Sequence, residues 1–119
     1  MNPVGWFEIA VTDMERAITF YENALGVSLA RKEMGGTQMA WFPVEEGNAY
    51  GATGTLIQSA DCSPGSSSTV IYFNVNSIDD VIARVAESAV LHPKTQIGDS
   101  GFYAHIEDSE GNRVGIHCH

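Results

Sequence analysis

The strongest constraint on this chain is that one local pattern occurs in it twice. Residues 6–26, WFEIAVTDMERAITFYENALG, read as a strand, a tight cap, an amphipathic helix and a glycine stop. In the strand, Phe7, Ile9 and Val11 point one way and Trp6, Glu8 and Ala10 the other. Thr12, with Glu15 three residues on, has the spacing of a capping box. Met14, Ala17, Ile18, Tyr21 and Leu25 recur at the spacing of one buried helix face. Gly26 is placed to take the left-handed conformation that ends a helix. A shift of 64 residues carries Val11 onto Val75, Met14 onto Ile78, Ala17 onto Val81 and Ile18 onto Ile82. Around that second copy, 70–75 is a strand with Ile71, Phe73 and Val75 on one face and Val70, Tyr72 and Asn74 on the other. Ser77 and Asp80 repeat the cap spacing, and a helix over 78–90 puts Ile78, Val81, Ile82, Val85 and Ala89 on one face.

Three strands follow each helix. In the first copy they are 27–34, then a Gly35-Gly36 hairpin and 37–44, then a polar stretch at 45–51, then 52–58. In the second they are VLHPKT, FYAHIED and, after a turn at SEGN, RVGIHCH. The Ser- and Pro-rich stretch 59–68 has the composition of a flexible connection. The expectation is a single domain over 1–119 with an α+β fold. Two β-α-β-β-β modules, about 1–60 and 68–119, form a curved, cup-shaped sheet with the helices outside. Phe7, Ile9, Val11, Phe73, Val114 and Ile116 cover the helices. Trp6, Glu8, Tyr72, Asn74, Arg113 and His117 line the concave side, a mixture of aromatic, charged and polar groups suited to a small molecule.

Charge removes two classes of partner. The net charge is −9, and the six basic residues are scattered, with only Arg31 and Lys32 adjacent. Nucleic acid and anionic membrane both require clustered cations, so neither is expected. No apolar run approaches the ~20 residues that span a bilayer. The first residues carry no basic segment with a small-residue cleavage site, so the cytoplasm is the expected compartment. Cys62 and Cys118 show no paired spacing, which fits reduced thiols. In the closing His117-Cys118-His119, alternation allows at most the two histidines to share a metal, and an ordinary strand end is expected.

At the level of motifs the chain resembles the vicinal oxygen chelate superfamily, which includes glyoxalase I, fosfomycin- and bleomycin-resistance proteins and extradiol dioxygenases. The resemblance lies in V-x-D followed by ERAITFYENALG, in FNVNSIDDVIARV and in EDSEGNRVGIH. It covers nearly the whole chain and is closest to small glyoxalase-like bacterial proteins. It implies paired β-α-β-β-β modules, commonly in a homodimer. It also implies four metal-ligand positions, on the first and last strand of each module, usually His, Glu or Gln. Carried onto this chain, they fall on Trp6, Gly54, Val70 and Gly115. None of these offers a side chain that binds a divalent cation, so no metal and no cofactor is expected, with a divalent metal at other positions as the alternative.

The leading expectation is therefore a small-molecule-binding protein of the glyoxalase/bleomycin-resistance type, probing its ligand with Trp6, Glu8, Trp41, Tyr72, Asn74, His105 and His117. The alternatives are a lyase or isomerase in which Glu8 and His117 are catalytic with His105 beside them, and a non-catalytic interaction subunit. Glu8 suits a general base if the cup buries it. Trp6 either stacks on a flat ligand or plugs the cup. Gly54 and Gly115 leave room for a ligand or bend the sheet. His92, before Pro93, is expected in a loop without a role.

Overall fold

The repeat reappears as two sheets with the same strand order. The computed structural model describes every residue except 1–3, 5, 46–50, 61 and 66–68. Parts of the expected turn at 45–51 and of the connection at 59–68 lie outside the described residues. The first module contains β1 (Phe7–Ala10), α1 (Met14–Leu25), β2 (Ala30–Met34), β3 (Thr37–Trp41) and β4 (Gly54–Gln58). The second contains β5 (Tyr72–Asn74), α2 (Ile78–Arg84), β6 (Val90–Gln96), β7 (Phe102–Glu107) and β8 (Arg113–Cys118). Among the described residues these strands form two four-stranded sheets, β1-β4-β3-β2 and β5-β8-β7-β6. In each, the first strand runs parallel to the last and the remaining pairs are antiparallel. A parallel neighbour needs a long connection, and the helix and hairpin of each module supply it.

Alternation decides which side is buried. Ile9 pairs with Leu56, which pairs with Ala40; Phe73 pairs with Ile116, which pairs with Ala104. These rows face the helices. Together with Met14, Ala17, Tyr21, Ile78 and Val81 they form one core shared by both modules. Phe73 joins the halves directly, with its ring 5.7 Å from Phe7 and 5.3 Å from Phe42.

The helix ends only partly follow the expected caps. α1 is capped by Asp13, whose carboxylate accepts the Arg16 N–H at 3.1 Å, one residue later than the Thr12–Glu15 spacing implies. A carboxylate is the better cap, since it also meets the positive end of the helix dipole. Ser77 caps α2 as expected, accepting the Asp80 N–H at 3.2 Å, and Gly26 closes α1 at φ 68°. Gly35 and Gly36 both have positive φ, 59° and 83°, as a two-residue hairpin turn requires.

Two expectations fail in the second module. α2 stops at Arg84, and Ala89 lies in a separate 3-10 turn, Glu87–Ala89. Val90 is drawn into the sheet opposite Ile106, so tertiary pairing overrides the helical periodicity. His92 is not in a loop either. It lies in β6, where Pro93 is tolerated because the strand is at the sheet edge and its register shifts on both sides of His92.

The β7–β8 turn ties the modules together. Glu110 has a fully buried side chain, and its Oε1 accepts the backbone N–H of Thr12 and of Asp13, both at 2.9 Å. The Thr12 hydroxyl donates to the same oxygen at 3.1 Å, and Arg16 Nε donates to Oε2 at 2.7 Å. The Arg16 bonds above all, then those backbone donors and Ser109, outweigh burial and bring the Glu110 carboxyl down to about 2. Asp108 accepts the Tyr21 hydroxyl at 2.7 Å, and Asn112 donates to the Ala10 carbonyl at 2.9 Å. Burial first, and then Asp108, push the Tyr21 phenol well above its ordinary value. The second module thus supplies acceptors for the start of the first module's helix.

Candidate functional site

The concave side of the first sheet is an aromatic surface. Strand register places Glu8, Thr55 and Trp41 in one row. Trp6 packs edge-on against Trp41, with ring centroids 5.0 Å apart, and Lys32 Nζ stands 4.1 Å above the Trp41 ring. Trp6 remains 39% exposed, while Trp41 Nε1 is buried with no hydrogen-bond partner among the described residues. Such an orphaned donor costs about 1–3 kcal/mol. Glu8 is exposed, so the burial that the general-base expectation required is not supplied by the chain itself.

The concave side of the second sheet is a hydrogen-bonded polar surface. Tyr72 pairs with Gly115 and lays its ring over it; a Cβ at Gly115 would meet Tyr72 Cδ2 at 2.3 Å. The glycine is therefore required by the aromatic ring above it. The Tyr72 hydroxyl lies 2.7 Å from His105 Nε2, and Arg113 Nη1 donates to His105 Nδ1 at 2.9 Å. An arginine cannot accept, so His105 Nδ1 carries the lone pair and Nε2 carries the proton. Desolvation first, then the charges of Arg113 and His92, hold the His105 pKa below its ordinary value, in keeping with this neutral tautomer. Next to it, His92 stacks on Tyr103, with centroids 5.1 Å apart, and bonds to the hydroxyls of Tyr103 and Thr95 at 3.0 and 3.1 Å. The spacing of the sequence had no way to signal this part of the site, because the bulges of β6 decide which way His92 faces.

The expected cluster of Glu8, His105 and His117 is not assembled. His117 Nε2 donates to the Ser100 carbonyl at 2.7 Å, and its ring meets His119 edge-on at 5.0 Å. His105 is engaged by Arg113 and Tyr72, and among the described residues no hydrogen bond or ion pair joins Glu8 to either histidine. Glu8 does line a cleft of about 260 Å³ with Arg113, Ile71 and Asn112. Tyr72 and Asn74 line a different cavity of about 370 Å³, walled by Phe7, Leu25 and Phe42.

The ligand positions need one correction. Gly115 faces the cup opposite Tyr72, and Tyr72 corresponds to Glu8 in the repeat. Glu8 pairs with Thr55, whereas Gly54 pairs with Phe7 and turns toward the core side. Thr55 therefore replaces Gly54 as the fourth position. Its Oγ1 is buried within 3.1 Å of the Ala40 carbonyl and 2.7 Å of the Leu56 carbonyl. Trp6, Thr55, Val70 and Gly115 supply neither imidazole nor carboxylate, so they do not fit a divalent cation. Among the described residues no group of three or more His, Cys, Asp or Glu side chains is placed to hold a metal ion.

The two concave faces stay open in the single chain. The ring contacts between modules run through Phe73 on the helix side, and among the described residues no hydrogen bond joins the Trp6–Trp41 face to the Tyr72–His105 face. Among the described residues no helix is long and apolar enough to cross a membrane.

Comparison with known proteins agrees with this architecture. A family model described as Glyoxalase/Bleomycin resistance protein/Dioxygenase superfamily matches residues 4–116. Among solved structures, TnmS3, an antibiotic binding protein from Streptomyces sp. CB03234, aligns with a TM-score of 0.68 at 22% identity, over 99% of this chain and 96% of that one. The fosfomycin resistance protein FosX from Listeria monocytogenes aligns with a TM-score of 0.69 at 14% identity, over 100% of this chain and 94% of that one. A glyoxalase I variant from Zea mays aligns with a TM-score of 0.72 at 19% identity, over 98% of this chain and 46% of that one. At these identities the likeness is one of fold. No curated protein sequence matches significantly.

Proposed function

The chain belongs to the Glyoxalase/Bleomycin resistance protein/Dioxygenase superfamily, and on that premise we propose that it binds a small, flat organic molecule on its concave faces without a divalent metal. The observation that carries this reading is Trp6, an exposed ring packed edge-on against Trp41 at a position where metal-dependent relatives place a ligand. Flat rings stack on such surfaces. An antibiotic binding protein among the structural neighbours supports binding as a sufficient function on this fold. Glu8, which among the described residues forms no hydrogen bond or ion pair with either histidine, lends no support to proton-transfer catalysis.

A second copy of the chain is the proposed cover for the open faces, because half-exposed Tyr72 and Trp6 lie on them. The cytoplasm is the proposed compartment, where Cys62 and Cys118, free thiols in the structure, stay reduced. Tryptophan fluorescence tests the binding: titration with 2-naphthamide should quench it saturably in the native protein and not in Trp6→Ala. Absence of any response in the native protein overturns the reading. Elemental analysis of the purified protein should find metal well below one per chain; stoichiometric zinc, nickel or iron sinks the metal-free part. Light scattering should report a dimer, and a monomer at high micromolar concentration removes the second copy from the proposal.

A further inference from the structure

Two opposite charges face one cleft without meeting. Glu8 on β1 and Arg113 on β8 both line the cleft of about 260 Å³ where the edge strand of the first sheet faces the second module. Among the described residues the Glu8 carboxylate has no hydrogen bond or ion pair, and Arg113 has no ion pair. Arg16, Arg31 and Lys94, by contrast, pair with Glu110, Glu15 and Asp79. Arg113 Nη1 donates to His105 Nδ1 at 2.9 Å, a neutral acceptor that fixes the guanidinium without cancelling its charge. Glu107 stands opposite Arg113 in the strand register and does not pair with it.

The walls of this cleft are tied together. Asn112, 8% exposed, donates to the Ala10 carbonyl and to Asp108 Oδ2, both at 2.9 Å. Its Oδ1 accepts the Gly65 N–H at 2.8 Å. One buried amide thus joins β1, the connection between the modules and the turn before β8, and its own hydrogen-bonding groups are used in doing so. Ile9, Ile71 and Val114 also line the cleft and add aliphatic surface. Its volume is below the roughly 300–1,000 Å³ of pockets for drug-sized ligands, so it suits a smaller molecule.

Each simpler ligand meets an objection. An anion drawn to Arg113 is repelled by Glu8, and a cation drawn to Glu8 is repelled by Arg113. A neutral apolar molecule displaces water from both charges and returns nothing to either. A molecule that carries both charges satisfies both, through charge-assisted hydrogen bonds at each end. We propose that this cleft binds a zwitterion of amino-acid size, with its carboxylate on Arg113, its ammonium on Glu8 and an aliphatic side chain against Ile9, Ile71 and Val114. An arginine carries five N–H donors, so one bond to His105 leaves enough to take both carboxylate oxygens. The site goes beyond the aromatic reading above. Neither Trp6 nor Trp41 lines it, so either reading can fail without the other.

L-leucine, isocaproate and isoamylamine share one aliphatic chain and differ in the charges they carry. Titrated into the native protein at neutral pH and followed by NMR, leucine should bind about tenfold more tightly than either singly charged probe. It should also move the His105 Nδ1 signal, through the bond to Arg113. Glu8→Gln should abolish the preference for leucine over isocaproate, and Arg113→Met the preference for leucine over isoamylamine. Absence of leucine binding, or equal binding of the three probes, overturns the proposal on the native protein alone. So does a nuclear Overhauser contact between Glu8 and Arg113 in the free protein, because the two charges would then neutralise each other. Leucine binding that neither variant weakens puts the site elsewhere and refutes the assignment to this cleft.

Discussion

Glu110 shows how much one side chain can hold. It satisfies two backbone N–H groups, a hydroxyl and a guanidinium from 94 to 98 residues away, and its carboxyl is brought down to about 2. Glu110→Gln keeps the shape but loses the charge, and should cost about 2 kcal/mol in urea unfolding. The sign of its pH effect follows from the direction of the shift. A carboxyl held lower in the folded state than in the unfolded one stabilises fully above the unfolded value, near 4.5. That contribution should fade as the pH falls from there toward 2, and the acid unfolding midpoint of Glu110→Gln should lack this dependence. His105 is also held below its ordinary pKa, so the unfolded chain takes up its proton first and stability declines as the pH drops below 6.5. The groups facing it are Tyr72 on β5, His92 on β6, Tyr103 on β7 and Arg113 on β8. At Gly115 the constraint is steric: Gly115→Ala should displace the Tyr72 ring and break its bond to His105, seen as loss of the Nε2 hydrogen-bonded signal.

Elements were legible in the sequence where local chemistry and tertiary packing ask for the same thing. Strand alternation in β1, β5 and β8, the glycine stop at Gly26 and the Gly35-Gly36 hairpin all meet that condition. They failed where a distant partner intervened. Thr12 looked like a cap, yet Glu110 claims its donors and Asp13 takes the helix. Asp13→Ala should therefore cost about 1 kcal/mol of stability, similar to Ser77→Ala at the start of α2; circular dichroism during thermal unfolding would show it. The α2 periodicity ran on to Ala89, but pairing of Val90 with Ile106 ends the helix at Arg84. The site was legible only as a face. Alternation put Trp6, Glu8 and Tyr72 on the concave side, and the strand rows Glu8–Thr55–Trp41 and Tyr72–Gly115–His105 agree. It could not reveal that Arg113 and Tyr72 divide the two nitrogens of His105, since that depends on side-chain reach across three strands.

At the scale of the molecule, the duplication makes two similar halves that are not self-sufficient. They share one core through Phe73, and the sheets keep their concave faces free. The shared core predicts a single cooperative unfolding transition, with fluorescence and far-ultraviolet circular dichroism superimposing; separated transitions would mean the halves are independent. The β7–β8 turn adds a constraint in time. A chain leaves the ribosome from its N-terminus, at roughly 5–20 residues per second. The first module is thus synthesised in full while the acceptor for its helix start, Glu110, has not yet been made. During synthesis the Thr12 and Asp13 amides must be served by water, and α1 can be anchored through Glu110 only after the β7–β8 turn has emerged. The same side chain that joins the halves in the finished protein sets the order in which the protein can be completed.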